Sequence, residues 1–257
     1  MTSFAPLLGA LLLVGLYGGG VQQLLARGDR WPARRTACFA AGVALLTAAL
    51  LPPLADPPAF PLHVVQHLLL TMAGPALLAL SAPITLALRT LPSRPRAALL
   101  RLVHSRFARV LLLPPVVLAL QTGGMAAYFL TGLFGLVEQH PAVHLLVHAH
   151  MVAAGCLFAW FLVGRDPLTP RPSTRSRVVV LVLAAAGHDV LAKVLYASGL
   201  PTGEGTPAQL RLGAELLFTG GDVLDLLLMV GVLAEWYARF GRELERRRRR
   251  AAVTASV

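Results

Sequence analysis

The chain has 257 residues, 56% of them hydrophobic and only 14% charged, with a mean hydropathy of +0.68 and a formal net charge of +11. A water-soluble domain carries about 25% charged residues, so the composition excludes an ordinary soluble protein. Apolar runs of about 20 residues, the length that crosses a ~30 Å hydrocarbon core, mark a multi-pass membrane protein instead.

The first apolar run is FAPLLGALLLVGLYGGGVQQLLA (4–26). No basic residue precedes it and it is longer than a signal-peptide core, so it reads as a first span. Further spans are expected at 36–55, 62–88, 109–132, 142–164, 178–200 and 211–237. The expected fold is therefore an all-α bundle of seven transmembrane helices over residues 1–240, followed by a basic tail at 241–257. Pro75 and Pro83 are expected to bend span three, and Pro114-Pro115 the beginning of span four. Gly18, Gly19 and Gly20 in span one and Gly220 and Gly221 in span seven allow close helix approach. Cys38 and Cys156 lie in separate apolar runs with no CxxC, which excludes a thiolate metal site within one segment and argues against a disulfide.

The arginines orient the bundle. The connections after spans one, three and five hold four, six and four of them, and the tail from Arg239 to Arg250 holds seven. Only Arg211 and Lys193 lie elsewhere among the 23 basic residues. By the positive-inside rule the N-terminus is outside and the C-terminus cytoplasmic. The same distribution accounts for the net charge without a nucleic-acid partner. The run from Glu245 to Arg250 suits the anionic inner leaflet, at about 1 kcal/mol per basic residue near the surface.

With this topology the histidines sort by depth. His63 and His67 occupy the first turns of span three, and His144 and His148 the matching turns of span five. Each pair is spaced i, i+4, so its rings share a helix face about 6 Å apart along the axis. Two such pairs on facing helices can meet at one ion, as metal sites in helix bundles do. Neutral imidazole suits copper, zinc or iron; with no cysteine nearby and Met72 and Met151 close in sequence, copper or haem iron is favoured over structural zinc. His140 precedes Pro141 and is expected outside the helix. His150 follows His148 by two residues, about 200° around the helix, so it faces elsewhere.

A second polar group lies deeper: His188, Asp189 and Lys193 in span six, with Asp222 and Asp225 in span seven. Asp189 and Lys193 are spaced for an ion pair, and either span-seven acid can neutralise Lys193 across an interface. The group reads equally as a structural pair or as a proton or ligand pathway. Glu215 is a candidate carboxylate ligand, or an acceptor for an imidazole N–H, beside the outer histidines.

HVVQHLLLTMAGPALLALSAPITLALR (63–89), HLLVHAHMVAAGCLFAWFLVGRDP (144–167) and GHDVLAKVLYA (187–197) resemble the multi-span CtaG family of cytochrome c oxidase assembly factors. The resemblance runs from about span two to span seven. It implies a non-catalytic protein of the bacterial plasma membrane that handles copper for a haem–copper oxidase and meets the oxidase subunits. It also implies that His63, His67, His144, His148 and His150 occupy the family's histidine positions, and His188, Asp189 and Lys193 its polar motif in span six. GAELLFTGGDVLDLLLMV (213–230) departs from the Gln-rich, Met-Trp segment of some relatives, so Asp222 and Asp225 inherit no role.

Two other functions use the same residues. A b-type cytochrome would ligate haem with one histidine from each of spans three and five, leaving the second histidine of each pair unexplained. An intramembrane zinc hydrolase would need a carboxylate base, but there is no HExxH and only Glu215 is at hand.

Overall fold

A computed structural model describes residues 4–55, 58–167, 172–201 and 205–255, with the side chains of residue 138 and of 247–255 left out. Arg171 and the side chains of Arg247–Arg250 thus lie outside the described residues. Every regular element among the described residues is helical. α1 (Ala5–Ala26) and α2 (Ala33–Ala49) are followed by a long broken helix made of α3 (Phe60–Leu68), a π-turn (Leu69–Ala73), α4 (Gly74–Ser81) and α5 (Pro83–Thr90). Two short helices, α6 (Ser93–Val103) and α7 (Arg106–Leu111), lead into α8 (Pro114–Leu118), a second π-turn (Ala119–Gly123) and α9 (Gly124–Leu130). The chain ends with α10 (Leu133–Gln139), α11 (Pro141–Val163), α12 (Thr174–Ser198) and α13 (Pro207–Ala255).

Among the described residues five helices are long and apolar enough to cross a membrane: Ala5–Ala26, Phe60–Thr90, Pro141–Val163, Thr174–Ser198 and Pro207–Arg246. The two other expected spans are shorter than the sequence suggests. α2 stops at Ala49, and the turn behind it holds Pro52 and Pro53, which cannot continue a helix. Span four does not run through 109–132. The chain breaks at Leu112 and Leu113, and a new helix starts with Pro114 in its first turn. Pro114 and Pro115 start this helix rather than bend one, because a proline at the first position gives up an N–H that would have no partner there.

The sequence expects bends at Pro75 and Pro83, and the structure shows how each is built. Proline has no N–H, so the carbonyl four residues before Pro75, that of Thr71, loses its usual helical donor. The backbone widens into the π-turn there, with the Gly74 N–H reaching back to the Leu69 carbonyl. Gln121 in the second π-turn brings its Nε2 to 3.5 Å from the Thr71 oxygen and donates to it. Before Pro83 the break is complete, with Ala82 left-handed at φ 55°, ψ 55°, since the residue before a proline is disfavoured in the ordinary helical region.

That break leaves orphan carbonyls above it and orphan N–H groups below it. Tyr17 of α1 donates its hydroxyl to the Ser81 carbonyl at 2.9 Å, and the Arg165 N–H reaches the Ala79 carbonyl at 3.3 Å. Asp166 Oδ1 accepts from both the backbone N–H and the Oγ1 of Thr85, at 2.6 and 2.7 Å. Its Oδ2 accepts from Trp160 Nε1 at 2.9 Å. Asp166 is a buried carboxylate at a helix N-terminus, where the backbone dipoles favour negative charge. The GRDP sequence that ends α11 therefore staples the two halves of the broken helix.

These contacts bring the arginine-bearing ends of the helices to one face. Arg89 pairs with Asp29 at 3.2 Å, and buried Arg177 at the start of α12 holds Glu235 of α13 at 2.9 and 2.5 Å. Arg239, one turn on, pairs with the same carboxylate. The opposite face is built where Phe60 sits against Gly213 of α13 and Gln66 Nε2 donates 3.0 Å to the Ala49 carbonyl that ends α2. The histidine pairs lie toward this second face.

Candidate metal centre

His63 and His67 stand one turn apart on α3 and are both buried, His67 to 3% exposure. Aromatic rings wall them in. His63 meets the edge of Phe134 at 5.1 Å between centroids, His67 meets Phe129 at 5.4 Å, and His67 lies parallel to Tyr128 at 6.5 Å. On α11, His148 is buried and its ring touches that of half-buried His144 at 4.2 Å. His148 is within electrostatic reach of His63 and His144, and His67 within reach of His148 and His188. His148 of α11 thus comes near both histidines of α3, His144 adjoins His148, and His188 comes near His67.

The imidazoles form a chain rather than a closed coordination sphere. Among the described residues no group of three or more His, Cys, Asp or Glu is arranged to hold a metal ion. What the site offers is neutral nitrogen donors in an apolar wall, and His67 Nδ1 is buried without a hydrogen-bond partner. Burying a polar nitrogen unpartnered costs free energy, and a ligand on that atom would relieve it. The chemistry of the donors fits a soft or borderline ion that accepts few ligands.

The remaining predicted residues separate. Pro141 takes the first position of α11 and His140 precedes it in extended backbone. His150 is exposed, off the helix face that His144 and His148 share, and its Nε2 lies so close to Gly124 that a Cβ there would come within 2.5 Å. Glu215 is exposed and lines a separate cleft of about 230 Å³ with Lys193, Tyr196 and Phe218. Lys193 projects over the Phe218 ring at 5.4 Å, and the Asp189–Lys193 ion pair is not found among the described residues.

Lys193 stays within electrostatic reach of Asp189, beyond salt-bridge distance. The Asp189 and Asp222 carboxyls are close neighbours, and both are within electrostatic reach of buried Asp225. The ring of His188 lies flat against the backbone at Gly221, where a Cβ would come within 2.6 Å of it. His188 Nε2 and Asp225 Oδ1 are buried with no hydrogen-bond partner.

Sequence reasoning missed the residues that brace the site. Gln66, inside HVVQH, closes the end of α2; Thr71 and Gln121 join the two π-turns; Asp166 staples the helix break. For Gln66, Thr71 and Asp166 the one sequence signal is position inside the motifs, and Gln121 has none, since each bonds a backbone group that only the three-dimensional packing identifies.

Curated relatives include uncharacterized proteins of Mycobacterium bovis and Mycobacterium tuberculosis, each 28% identical over 265 residues that cover 95% of this chain. A third, from Mycobacterium leprae, is 26% identical over 283 residues and 98% of this chain. The chain spans only 40% to 42% of the length of these relatives. No solved structure matches. A family model described as the cytochrome c oxidase caa3 assembly factor matches residues 15–239, nearly the whole of the helical bundle that carries the histidines. The chain belongs to the cytochrome c oxidase caa3 assembly factor family.

Proposed function

We propose that this chain is an assembly factor that takes copper at the imidazoles of His63, His67, His144 and His148 and delivers it to a subunit of a haem–copper oxidase. Copper is cargo here, and the protein performs no catalysis on it. The observation that carries the reading is the juxtaposition of two histidine pairs from α3 and α11 within a chain of this family. A donor must hold its ion and also release it. Imidazoles without thiolate, in a chain that does not close around the ion, meet both demands.

The membrane placement belongs to the same proposal. Seven crossings, with α2 and Pro114–Leu130 as the short ones, put the histidine face outside and the arginine face in the cytoplasm of the bacterial plasma membrane. Support comes from the arginine distribution along the chain, with all but Arg211 in the connections after spans one, three and five and in the tail. The tail beyond residue 240 continues α13 on the arginine side, where its basic run meets the anionic inner leaflet.

The experiment is metal analysis of the purified protein with the variants His63→Ala, His67→Ala and His148→Ala, paired with oxidase activity in host membranes. Each variant should lower both bound copper and oxidase activity.

A further inference from the structure

Between α9 and α11, beside His67, lies a cavity of about 420 Å³ that the histidine chain does not account for. Its lining includes His67, Thr71, Gln121, Met125, His150 and Met151, the rest being mostly apolar side chains. Both π-turns face it, the first through Thr71 and the second through Gln121. A π-turn inserts one residue and displaces the side chains around it, and such turns concentrate at functional sites. Here two of them, on different helices, border the same space.

The donors in this cavity differ in kind from those of the outer chain. Met125 and Met151 are buried thioethers, and His67 and His150 are imidazoles. Among the described residues no carboxylate and no cationic lysine or arginine lines the space. Neutral sulfur and nitrogen donors select soft ions, and an apolar wall penalises a divalent charge far more than a monovalent one. His67 borders both this cavity and the outer imidazoles, so an ion leaving His148 meets it next.

We propose that the cavity is a second, soft station for the cargo, in which Cu(I) passes from the imidazole chain to the thioethers of Met125 and Met151 through His67, with His150 at the mouth. The inference rests on the reading of copper as cargo. Copper remains Cu(I) throughout, and only ligands exchange. The assignment gives a role to His150, which is exposed and off the face that His144 and His148 share.

The test is copper K-edge X-ray absorption on the full chain in lipid nanodiscs, loaded anaerobically with Cu(I). Wild type is compared with M125L, M151L and the double variant; methionine to leucine keeps volume and is well tolerated in cores. The proposal expects sulfur scattering in wild type, reduced in each single variant and lost in the double, with helical content unchanged. Copper bound through nitrogen and oxygen alone in wild type would overturn it while leaving the outer site standing. Sulfur scattering that persists undiminished in the double variant would do the same. A wild-type chain that takes up no copper would overturn both this inference and the reading beneath it. The wild-type spectrum decides even where a variant folds poorly.

Discussion

Gly155 of α11 and the Thr71 carbonyl of the first π-turn meet backbone to backbone, so closely that a Cβ on Gly155 would come within 2.3 Å of that oxygen. The contact sets the distance between the two helices that carry the histidine pairs. Proline at 75 frees the carbonyl, Gln121 hydrogen-bonds it, and glycine at 155 lets the facing helix close on it. Local sequence chemistry thereby fixes the spacing of the site.

Gly155→Ala should accordingly push α11 away from α3. Overpacking of this kind costs about 1–3 kcal/mol, and here it should also lower copper uptake. Thermal unfolding in detergent measures the first effect and metal content the second. Gly19→Ala, in a position with nothing within 4 Å, is the matched control and should change neither.

Asp166→Ala should destabilise the bundle without touching a proposed ligand. It strands the Thr85 N–H, the Thr85 hydroxyl and the Trp160 indole N–H. Each buried donor left unsatisfied costs about 1–3 kcal/mol. A lower unfolding temperature and altered tryptophan emission are expected. Unchanged stability would mean that the break at Ala82 needs no staple.

The Arg177–Glu235 pair makes a similar prediction at the start of α12. Removing one partner of a buried pair costs about 3–5 kcal/mol, because the survivor is left as an uncompensated charge. Glu235→Gln should therefore lower stability sharply, and Arg177→Met combined with Glu235→Leu should recover much of the loss. A double variant no better than the single one would contradict this account of the pair.

Much of the helical layout is legible in the sequence because hydrocarbon demands long apolar runs and helices satisfy their own backbone groups. The pairing of His63 with His67 and of His144 with His148 is legible too, since i, i+4 spacing alone puts two rings on one face. The 200° offset likewise foretells that His150 lies off that face. What the sequence hides is anything that depends on a partner helix. Pro75 and Pro83 announce bends, yet nothing local says that one becomes a π-turn and the other a left-handed break. Asp166 reads as a loop acid until Thr85 is seen beside it. Lys193 and Asp189 have ion-pair spacing, but the lysine lies over the Phe218 ring and only within electrostatic reach of the aspartate.

The central claim is that the histidine pairs of α3 and α11 hold copper. Metal analysis with an absorption spectrum on the purified protein tests it most directly. The account predicts stoichiometric copper without a Soret band, and less copper in each of the His63→Ala, His67→Ala and His148→Ala variants. Full metal retention in all three variants, or a Soret band from bound haem, would contradict it.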